Sequence, residues 1–378
     1  MIEIGRHAID TDVHCAPASF EALLPYMDEY WREYIVDTNL QLSPSLAGAY
    51  PVGAATTATP EARRGGTSPP DNVEALRRQV LDRSDPRYVI LNCLSSFDVS
   101  RNPYFEAALT RAVNDWLRAE WLSRDERLRA SMVVPTVDPE AAVAEIDRLG
   151  EDHGFVQVLL PVRGTDARYG NRRYHPVLEA AARHDLVVGL HAWGRAGSAQ
   201  SATGFTHTYL EDYLSNSQSM VQAQVVSLVT EGVFERIPAL RVCLAECGFS
   251  WLPALLWRWD KDWKALWREV PWVRTKPSEY VYWHFRATTE PAHLPSDAGQ
   301  AAEVVEMTRA RDFLMYASDY PHDHGDGAEP LFAAMDTDAL ESVTRRNAAE
   351  FYSLDGPRGR ARAPASRGRG GAGFQAQR

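Results

Sequence analysis

The feature that most constrains the fold of this chain is a series of short apolar segments that alternate with stretches of helical periodicity. Most of these segments are apolar throughout, as expected for parallel strands that are covered on both faces. Eight strands that alternate with helices predict an α/β fold, a (β/α)8 barrel of the TIM type. The predicted strands are residues 8–14, 88–94, 129–135, 155–161, 186–192, 241–248, 285–291 and 313–319.

Helical patterns lie between these strands, and one of them has a clear start. Residues 103–122 and 174–184 carry apolar side chains at helical spacing. Asp138 followed by Pro139 is typical of a helix N-cap and first turn. The alternative fold is an open α/β sheet. Because no Gly-x-Gly-x-x-Gly stretch follows the first strand, the sequence disfavours a dinucleotide-binding sheet.

One connection in the predicted barrel is unusually long. The barrel is assigned to residues 1–355, and residues 41–72, rich in Pro, Gly, Ala and Thr, follow its first strand. Loops of this length are functional or disordered in compact domains. We therefore expect a flexible insertion, which is either a lid over the barrel mouth or a segment without a role.

The charge of the chain is unevenly distributed. Residues 356–378 contain six Arg and no acid, whereas the rest of the chain has 34 basic against 51 acidic residues. An acidic body is a poor nucleic-acid surface, so no specific nucleic-acid partner is expected. The Arg/Gly-rich tail has almost nothing apolar to bury, and we predict that it is disordered.

The sequence also predicts where the protein resides. It has no run of 18 apolar residues, so we expect no membrane partner. Its four cysteines lack Cys-x-x-Cys spacing and lie in or beside predicted strands. We therefore expect buried free thiols and a cytoplasmic location. The cysteines are Cys15, Cys93, Cys243 and Cys247.

Potential metal ligands end three of the predicted strands. Asp12 and His14 close the first strand, His191 the fifth and Asp319 the eighth. Because side chains alternate along a strand, Asp12 and His14 project from the same face. Taken singly, each residue has an ordinary explanation, such as a core histidine or a turn cap. Together, at the strand ends where barrels place their sites, they predict a site for one divalent cation.

Five stretches carry a family resemblance, and they keep their order from the first strand to the last. The most specific is Ser318-Asp-Tyr-Pro-His322; the others are residues 9–14, 154–161, 188–191 and 245–251. These stretches resemble the amidohydrolase superfamily, in particular the amidohydrolase-related branch with aminocarboxymuconate-semialdehyde decarboxylase and the resorcylate-type decarboxylases. The resemblance implies a distorted barrel, one catalytic metal ion and a homodimer. It implies metal ligation by Asp12, His14, His191 and Asp319.

The chain departs from the family pattern at two positions. Many members begin with His-x-His, whereas this chain has Asp12 in the first place. A carboxylate there shifts the preference from Zn²⁺ toward Mn²⁺ or another harder cation, so we expect either ion as the cofactor. The position in strand six that is often His in relatives is Glu246. Glu246 is expected to ligate metal, shuttle a proton or hydrogen-bond a metal-bound water, unless it forms an internal salt bridge.

The charges of the predicted site indicate its acid–base groups. Asp12, Asp319 and Glu246 would bring three negative charges to one cation, so we expect one carboxyl to hold a proton with a raised pKa. Asp319 is the first candidate for the catalytic acid or base, and Glu246 is the second. We expect Asp10, His207 and His322 to orient or support these groups by hydrogen bonds.

Other residues are candidates for contact with a small-molecule substrate. Trp193, Phe249 and Trp251 would form an aromatic wall, although packing in the core is their alternative. Arg286, which shares a strand face with Thr288, would bind a substrate carboxylate, with a plain salt bridge as its alternative.

The predicted residues allow two reactions on a small organic acid. One is non-oxidative decarboxylation, and the other is hydrolysis of an amide, ester or lactone bond. Because the resembling branch contains decarboxylases, we favour decarboxylation. A barrel that binds ligands without catalysis is the third reading, and the retention of all four ligand residues argues against it.

Overall fold

The computed structural model describes residues 7–40, 70–95, 102–163, 167–194, 207–214, 218–325 and 327–356. Its centre is an eight-stranded sheet in which neighbouring strands pair in parallel and follow the order of the chain. The strands are β1 (Ile9–His14), β2 (Tyr88–Asn92), β3 (Leu128–Val133), β4 (Phe155–Arg163), β5 (Val187–Gly194), β6 (Val242–Ala245), β7 (Phe285–Thr288) and β8 (Leu314–Met315).

Helices connect the strands. In the first half of the chain they are α1 (Glu29–Thr38), α2 (Val73–Leu76), α3 (Asp82–Ser84), α4 (Pro103–Trp116), α5 (Pro139–Leu149), α6 (His175–Arg183), α7 (Tyr209–Asp212), α8 (Gln218–Thr230) and α9 (Val233–Arg236). They continue as α10 (Leu252–Leu266), α11 (Pro277–His284), α12 (Ala298–Met307), α13 (Ala310–Phe313), α14 (Glu329–Ala333), α15 (Thr337–Glu341) and α16 (Asn347–Phe351). Shorter 3₁₀ turns are Phe20–Ala22, Leu24–Tyr26, Arg172–Tyr174 and Trp267–Glu269, and π-helical segments are Arg77–Leu81, Leu117–Leu122 and Ser342–Arg346.

The predicted start of the helix after β3 is confirmed. The Asp138 side chain accepts hydrogen bonds from the backbone N–H groups of Glu140 and Ala141, both at 3.1 Å. Pro139 occupies the first helical position, where a missing N–H costs nothing. Local sequence therefore fixes where α5 begins.

The barrel closes beyond the short last strand. The backbone N–H of Thr11 donates to the carbonyl of Tyr316 (2.9 Å), and that of His14 donates to the carbonyl of Tyr320 (2.8 Å). These bonds join β1 to the chain that follows β8, which places the end of β1 beside residue 319. The prediction of a (β/α)8 barrel is confirmed.

The amino-terminal end of the barrel is covered by the last helix. Ile9, Val187 and Met315, from three strands, form a buried apolar cluster with Phe351 and Tyr352. This packing closes one end of the barrel with apolar side chains. The polar residues at the carboxyl ends of the strands therefore lie at the opposite end, where barrels of this type carry their sites.

The structure also bears on three predictions from composition. Cys15, Cys93, Cys243 and Cys247 are all buried and free, as expected. Within the described part of the chain, no helix combines the length and the apolar character that a membrane span requires. Residues 41–69 of the predicted insertion and residues 357–378 of the predicted tail lie outside the described residues.

Candidate metal centre

The four predicted metal ligands lie together at the carboxyl-terminal end of the barrel. His14 Nε2 is 2.8 Å from Asp319 Oδ1 and 3.8 Å from Asp12 Oδ1. His191 Nε2 is 3.4 Å from Asp12 Oδ2. All four side chains are buried. Strands β1 and β5 and the loop after β8 thus bring two carboxylates and two imidazoles into one cluster.

Several donor atoms of this cluster have no hydrogen-bond partner among the described residues. They are Asp12 Oδ2 and both ring nitrogens of His191. Unpaired buried polar atoms are rare in native proteins and require an explanation. Carboxylate oxygen and imidazole nitrogen are donors that Zn²⁺ and Mn²⁺ accept. The unpaired atoms therefore fit a divalent cation.

Two overlapping sets of donors share His14. One set consists of Asp12, His14 and His191. Within each set, the donor atoms lie within 4.8 Å of one another. The members of the second set are His14, Glu246, Asp319 and His322. This spacing is close enough for one cation to be reached from either set, since coordination bonds are about 2 Å long.

Asp319 accepts hydrogen bonds from three imidazoles. His14 Nε2 and His322 Nδ1 lie 2.8 Å and 3.1 Å from Asp319 Oδ1, and His324 Nε2 lies 2.6 Å from Asp319 Oδ2. Burial raises the pKa of Asp319, but the three rings more than offset this effect and hold the pKa well below its ordinary value. The environment of Asp319 therefore favours the ionised carboxylate.

Glu246 is a carboxyl of this site whose pKa is raised. Burial raises its pKa, and the negative charge of Asp319 adds to the effect. Its Oε2 lies 3.7 Å from His191 Nδ1. Glu246 (φ +54°) and Asp319 (φ +51°) both have left-handed backbones. Residues other than glycine rarely adopt this conformation, which recurs at active sites.

His322 lies between Asp319 and the surface. Burial lowers the pKa of His322, but the Asp319 carboxylate has the larger opposite effect, and the pKa rises to about 10. The ring is 29% exposed and lies 4.8 Å, centroid to centroid, from the ring of His14. His322 is thus a cationic group with access to solvent and a hydrogen bond to Asp319.

Asp10 ties β1 to the loop that carries Asp319. Its Oδ1 accepts hydrogen bonds from the backbone N–H groups of Ser318 (2.9 Å) and Asp12 (3.4 Å). Burial raises the pKa of Asp10 to about 7. The carboxyl contacts the backbone on either side of the cluster, as an orienting group would.

The structure places Arg286 away from the cluster, which corrects its prediction as a carboxylate receptor. Its guanidinium donates to the carbonyls of Tyr282 (3.1 Å) and Phe285 (2.7 Å) and stacks 5.4 Å from the ring centroid of Phe351. Phe351 belongs to the helix that covers the amino-terminal end of the barrel. Arg286 therefore stabilises the end opposite the metal cluster.

The other predicted substrate and supporting residues are only partly tested. Phe249 is buried in the core, and Trp251 donates from Nε1 to the carbonyl of Cys247 (3.0 Å), so neither offers a free surface to a substrate. Trp193 lies in β5, and the structure describes its backbone only. His207 is exposed, and its backbone N–H donates to the Glu211 carboxylate (2.9 Å).

Two residues of the site were missed from the sequence. His324 follows the Ser318–His322 stretch by two residues and holds the second oxygen of Asp319. Asn92 ends β2 and donates from Nδ2 to Asp12 Oδ1 (2.7 Å). A polar residue at the end of an otherwise apolar strand was the signal that would have identified Asn92.

Comparisons with known proteins identify relatives of this chain. A family model described as amidohydrolase matches residues 9–354. The gamma-resorcylate decarboxylase of Rhodococcus jostii is 26% identical over 302 residues, which cover 75% of this chain and 88% of that protein. These matches confirm the resemblance found in the sequence.

Solved structures share the fold. The 5-carboxyvanillate decarboxylase LigW from Sphingomonas paucimobilis superposes with a TM-score of 0.68 at 20% identity, over 92% of this chain and 99% of that one. A dihydroxybenzoic acid decarboxylase from Polaromonas, solved with manganese and 2-nitroresorcinol, gives 0.66 at 17% identity, over 93% and 98%. With the family model spanning the barrel from its first strand past its last, the chain belongs to the amidohydrolase family.

Proposed function

We propose that this protein is a metal-dependent, non-oxidative decarboxylase of a small aromatic acid. The observation that carries the proposal is the convergence of Asp12, His14, His191 and Asp319, some of whose donor atoms have no hydrogen-bond partner in the described part of the chain. The relative named as a gamma-resorcylate decarboxylase supports the reaction type. The manganese bound in one structural relative supports the choice of cofactor.

The predicted ligands and Glu246 have different roles in the proposed chemistry. A divalent cation held by Asp12, His14, His191 and Asp319 would supply a Lewis acid for the negative charge of the substrate carboxylate and a neighbouring oxygen. Those residues hold the cation, and burial excludes water around them. Glu246, with its raised pKa, is assigned to a substrate hydroxyl as the second acid–base group.

Proton delivery is assigned to Asp319. It takes a proton from the His322 imidazolium, with which it shares a hydrogen bond, and passes it to the ring carbon that bears the carboxylate. A C–H bond forms at that carbon. The bond to the carboxylate then breaks, its electron pair returns to the ring, and CO2 leaves. The exposed edge of His322 takes the replacement proton from solvent.

A substrate screen tests this function directly. The protein is freed of metal, reconstituted with Mn²⁺ or Zn²⁺, and offered aromatic and enoic carboxylic acids beside amides and lactones. We expect CO2 release in step with loss of the acid, only after metal is restored. Hydrolysis of amides or lactones without CO2 release would replace decarboxylation by the second reaction.

Three finer expectations accompany the proposal. Asp12 in place of a histidine favours Mn²⁺ over Zn²⁺. The family resemblance implies a homodimer, and the free thiols favour a cytoplasmic location. Light scattering on the purified protein tests the dimer, and metal competition between Mn²⁺ and Zn²⁺ tests the cation.

A further inference from the structure

A buried chain of hydrogen bonds runs from Asp12 through the barrel interior. Asn92 Nδ2 donates to Asp12 Oδ1 (2.7 Å), and Ser131 Oγ donates to Asn92 Oδ1 (2.5 Å). Gln157 Nε2 donates to Ser131 Oγ (2.8 Å), and the Tyr352 hydroxyl donates to Gln157 Oε1 (2.8 Å). All five side chains are buried. The chain therefore joins the metal cluster to the residue that follows the last helix.

The direction of this chain follows from its first member. A carboxylate that ligates a cation only accepts hydrogen bonds, so Asn92 presents its NH2 group to Asp12 and its oxygen to Ser131. The Ser131 hydroxyl donates its one proton to Asn92 Oδ1, so the Ser131 oxygen accepts a hydrogen bond from Gln157. The oxygen of Gln157 is left to accept from Tyr352. Each link fixes the orientation of the next.

The barrel makes room for the central member of the chain. A Cβ atom at Gly189 in β5 would lie 2.3 Å from Cδ of Gln157, so only glycine lets this amide lie across the strand. Barrel interiors are usually filled by branched apolar side chains. Because buried polar groups are costly unless they are paired, a connected polar line through this interior indicates a specific role.

We infer that Asn92, Ser131, Gln157 and Tyr352 are positioning residues that hold the Asp12 carboxylate ready for the cation. Asn92 engages Oδ1, which leaves the unpaired Oδ2 facing His191 at 3.4 Å. The inference rests on the proposed cation site, and it is independent of the reaction catalysed there.

Two substitutions that each delete one hydroxyl test the inference. Tyr352→Phe removes the far end of the chain, and Ser131→Ala breaks it beside Asn92. The dissociation constant for Mn²⁺ is measured by titration calorimetry on metal-free protein, together with the free energy of unfolding. We expect Mn²⁺ binding to weaken about 10-fold for Ser131→Ala and about 3-fold for Tyr352→Phe.

A matched control removes the same hydroxyl elsewhere. The Tyr174 hydroxyl is buried and donates to the carbonyl of Thr136 (3.3 Å), outside the chain, so Tyr174→Phe is expected to leave Mn²⁺ affinity unchanged. Equal Mn²⁺ affinity in wild type, Ser131→Ala and Tyr352→Phe, with lower stability only, would overturn the inference and leave the cation site intact. A wild-type protein that binds no Mn²⁺ would overturn the cation site as well.

Discussion

Asp319 is the residue on which the proposed chemistry depends most. It accepts from three imidazoles, it lies at the barrel seam, and its backbone has a left-handed conformation that needs support from the surrounding structure. A carboxylate in this setting can bind a cation and exchange a proton with His322. A neutral amide of the same shape binds a cation more weakly and cannot exchange that proton.

We therefore predict that Asp319→Asn lowers kcat by about 10³-fold or more, in the range found for loss of a general acid, while the fold persists. Steady-state kinetics on metal-loaded protein and circular dichroism measure both effects. Asp323→Asn makes the same change four residues away on the exposed side of the loop and should retain full activity. Normal turnover by Asp319→Asn would remove Asp319 from the mechanism.

A second prediction concerns His284, which is remote from the cluster. Its ring stacks on Phe234 at 4.3 Å and shares a hydrogen bond with the carbonyl of Leu240 (2.9 Å). Burial lowers the pKa of His284 to about 4. The folded state therefore keeps the ring neutral where the unfolded chain, with a pKa near 6.5, becomes protonated.

Stability from His284 is thus fully present above about pH 6.5 and is lost as the pH falls toward 4, by about 3 kcal/mol in total. Urea unfolding of metal-free protein at several pH values measures this loss. His284→Gln should flatten the dependence, whereas the same change at the exposed His153 should leave it as in wild type. An identical pH slope in His284→Gln and wild type would refute the assignment.

At this scale, alternation along a strand was enough to predict the metal cluster. Asp12, His14, His191 and Asp319 each end an apolar run, and parallel runs in a barrel end on one side. The same argument failed for Arg286, because strand pattern does not say which end of the barrel a long side chain reaches. The helix that returns to cover the amino-terminal end, and supplies Phe351, is a tertiary feature.

Among the elements, β5 shows how the interior and the site constrain one strand together. It carries Gly189 against Gln157 and, two residues later, His191 in the cluster. A side chain at residue 189 would displace the Gln157 amide and with it the hydrogen-bonded chain. The glycine is therefore required by packing, since its backbone is ordinary extended strand.

We predict that Gly189→Ala lowers the free energy of unfolding by about 1–3 kcal/mol, the usual cost of overpacking. Chemical denaturation of the metal-free protein provides the measurement. Gly356→Ala is the control, because a Cβ there would meet no atom within 4 Å, and it should have little effect. Wild-type stability in Gly189→Ala would show that Gln157 can move aside freely.

The sequence predicted the strands but not the residues at which they end. The apolar runs 285–291 and 313–319 contain strands that stop at Thr288 and Met315. The chain stays buried past the last paired residue, since Thr289, Ala317 and Asp319 are all buried. The loop after β8 turns away from the sheet to place Asp319, and this turn depends on packing around the site, not on local pattern.

For the whole molecule, a bound cation should act as a stabiliser. The ligands come from β1, β5 and the loop after β8, so unfolding must release the ion. We predict that Mn²⁺ at 100 times its dissociation constant raises the free energy of unfolding by about 2.7 kcal/mol. A chelator should reverse the gain and abolish activity. His191→Ala should show no such gain, and an equal gain in that variant would contradict its role as a ligand.

The most direct test of the central claim is an anomalous difference map from crystals of the Mn²⁺-loaded protein. The account predicts one peak about 2 Å from donor atoms of Asp12, His14, His191 and Asp319. A peak elsewhere, or no peak at this cluster in protein that contains Mn²⁺, would contradict it.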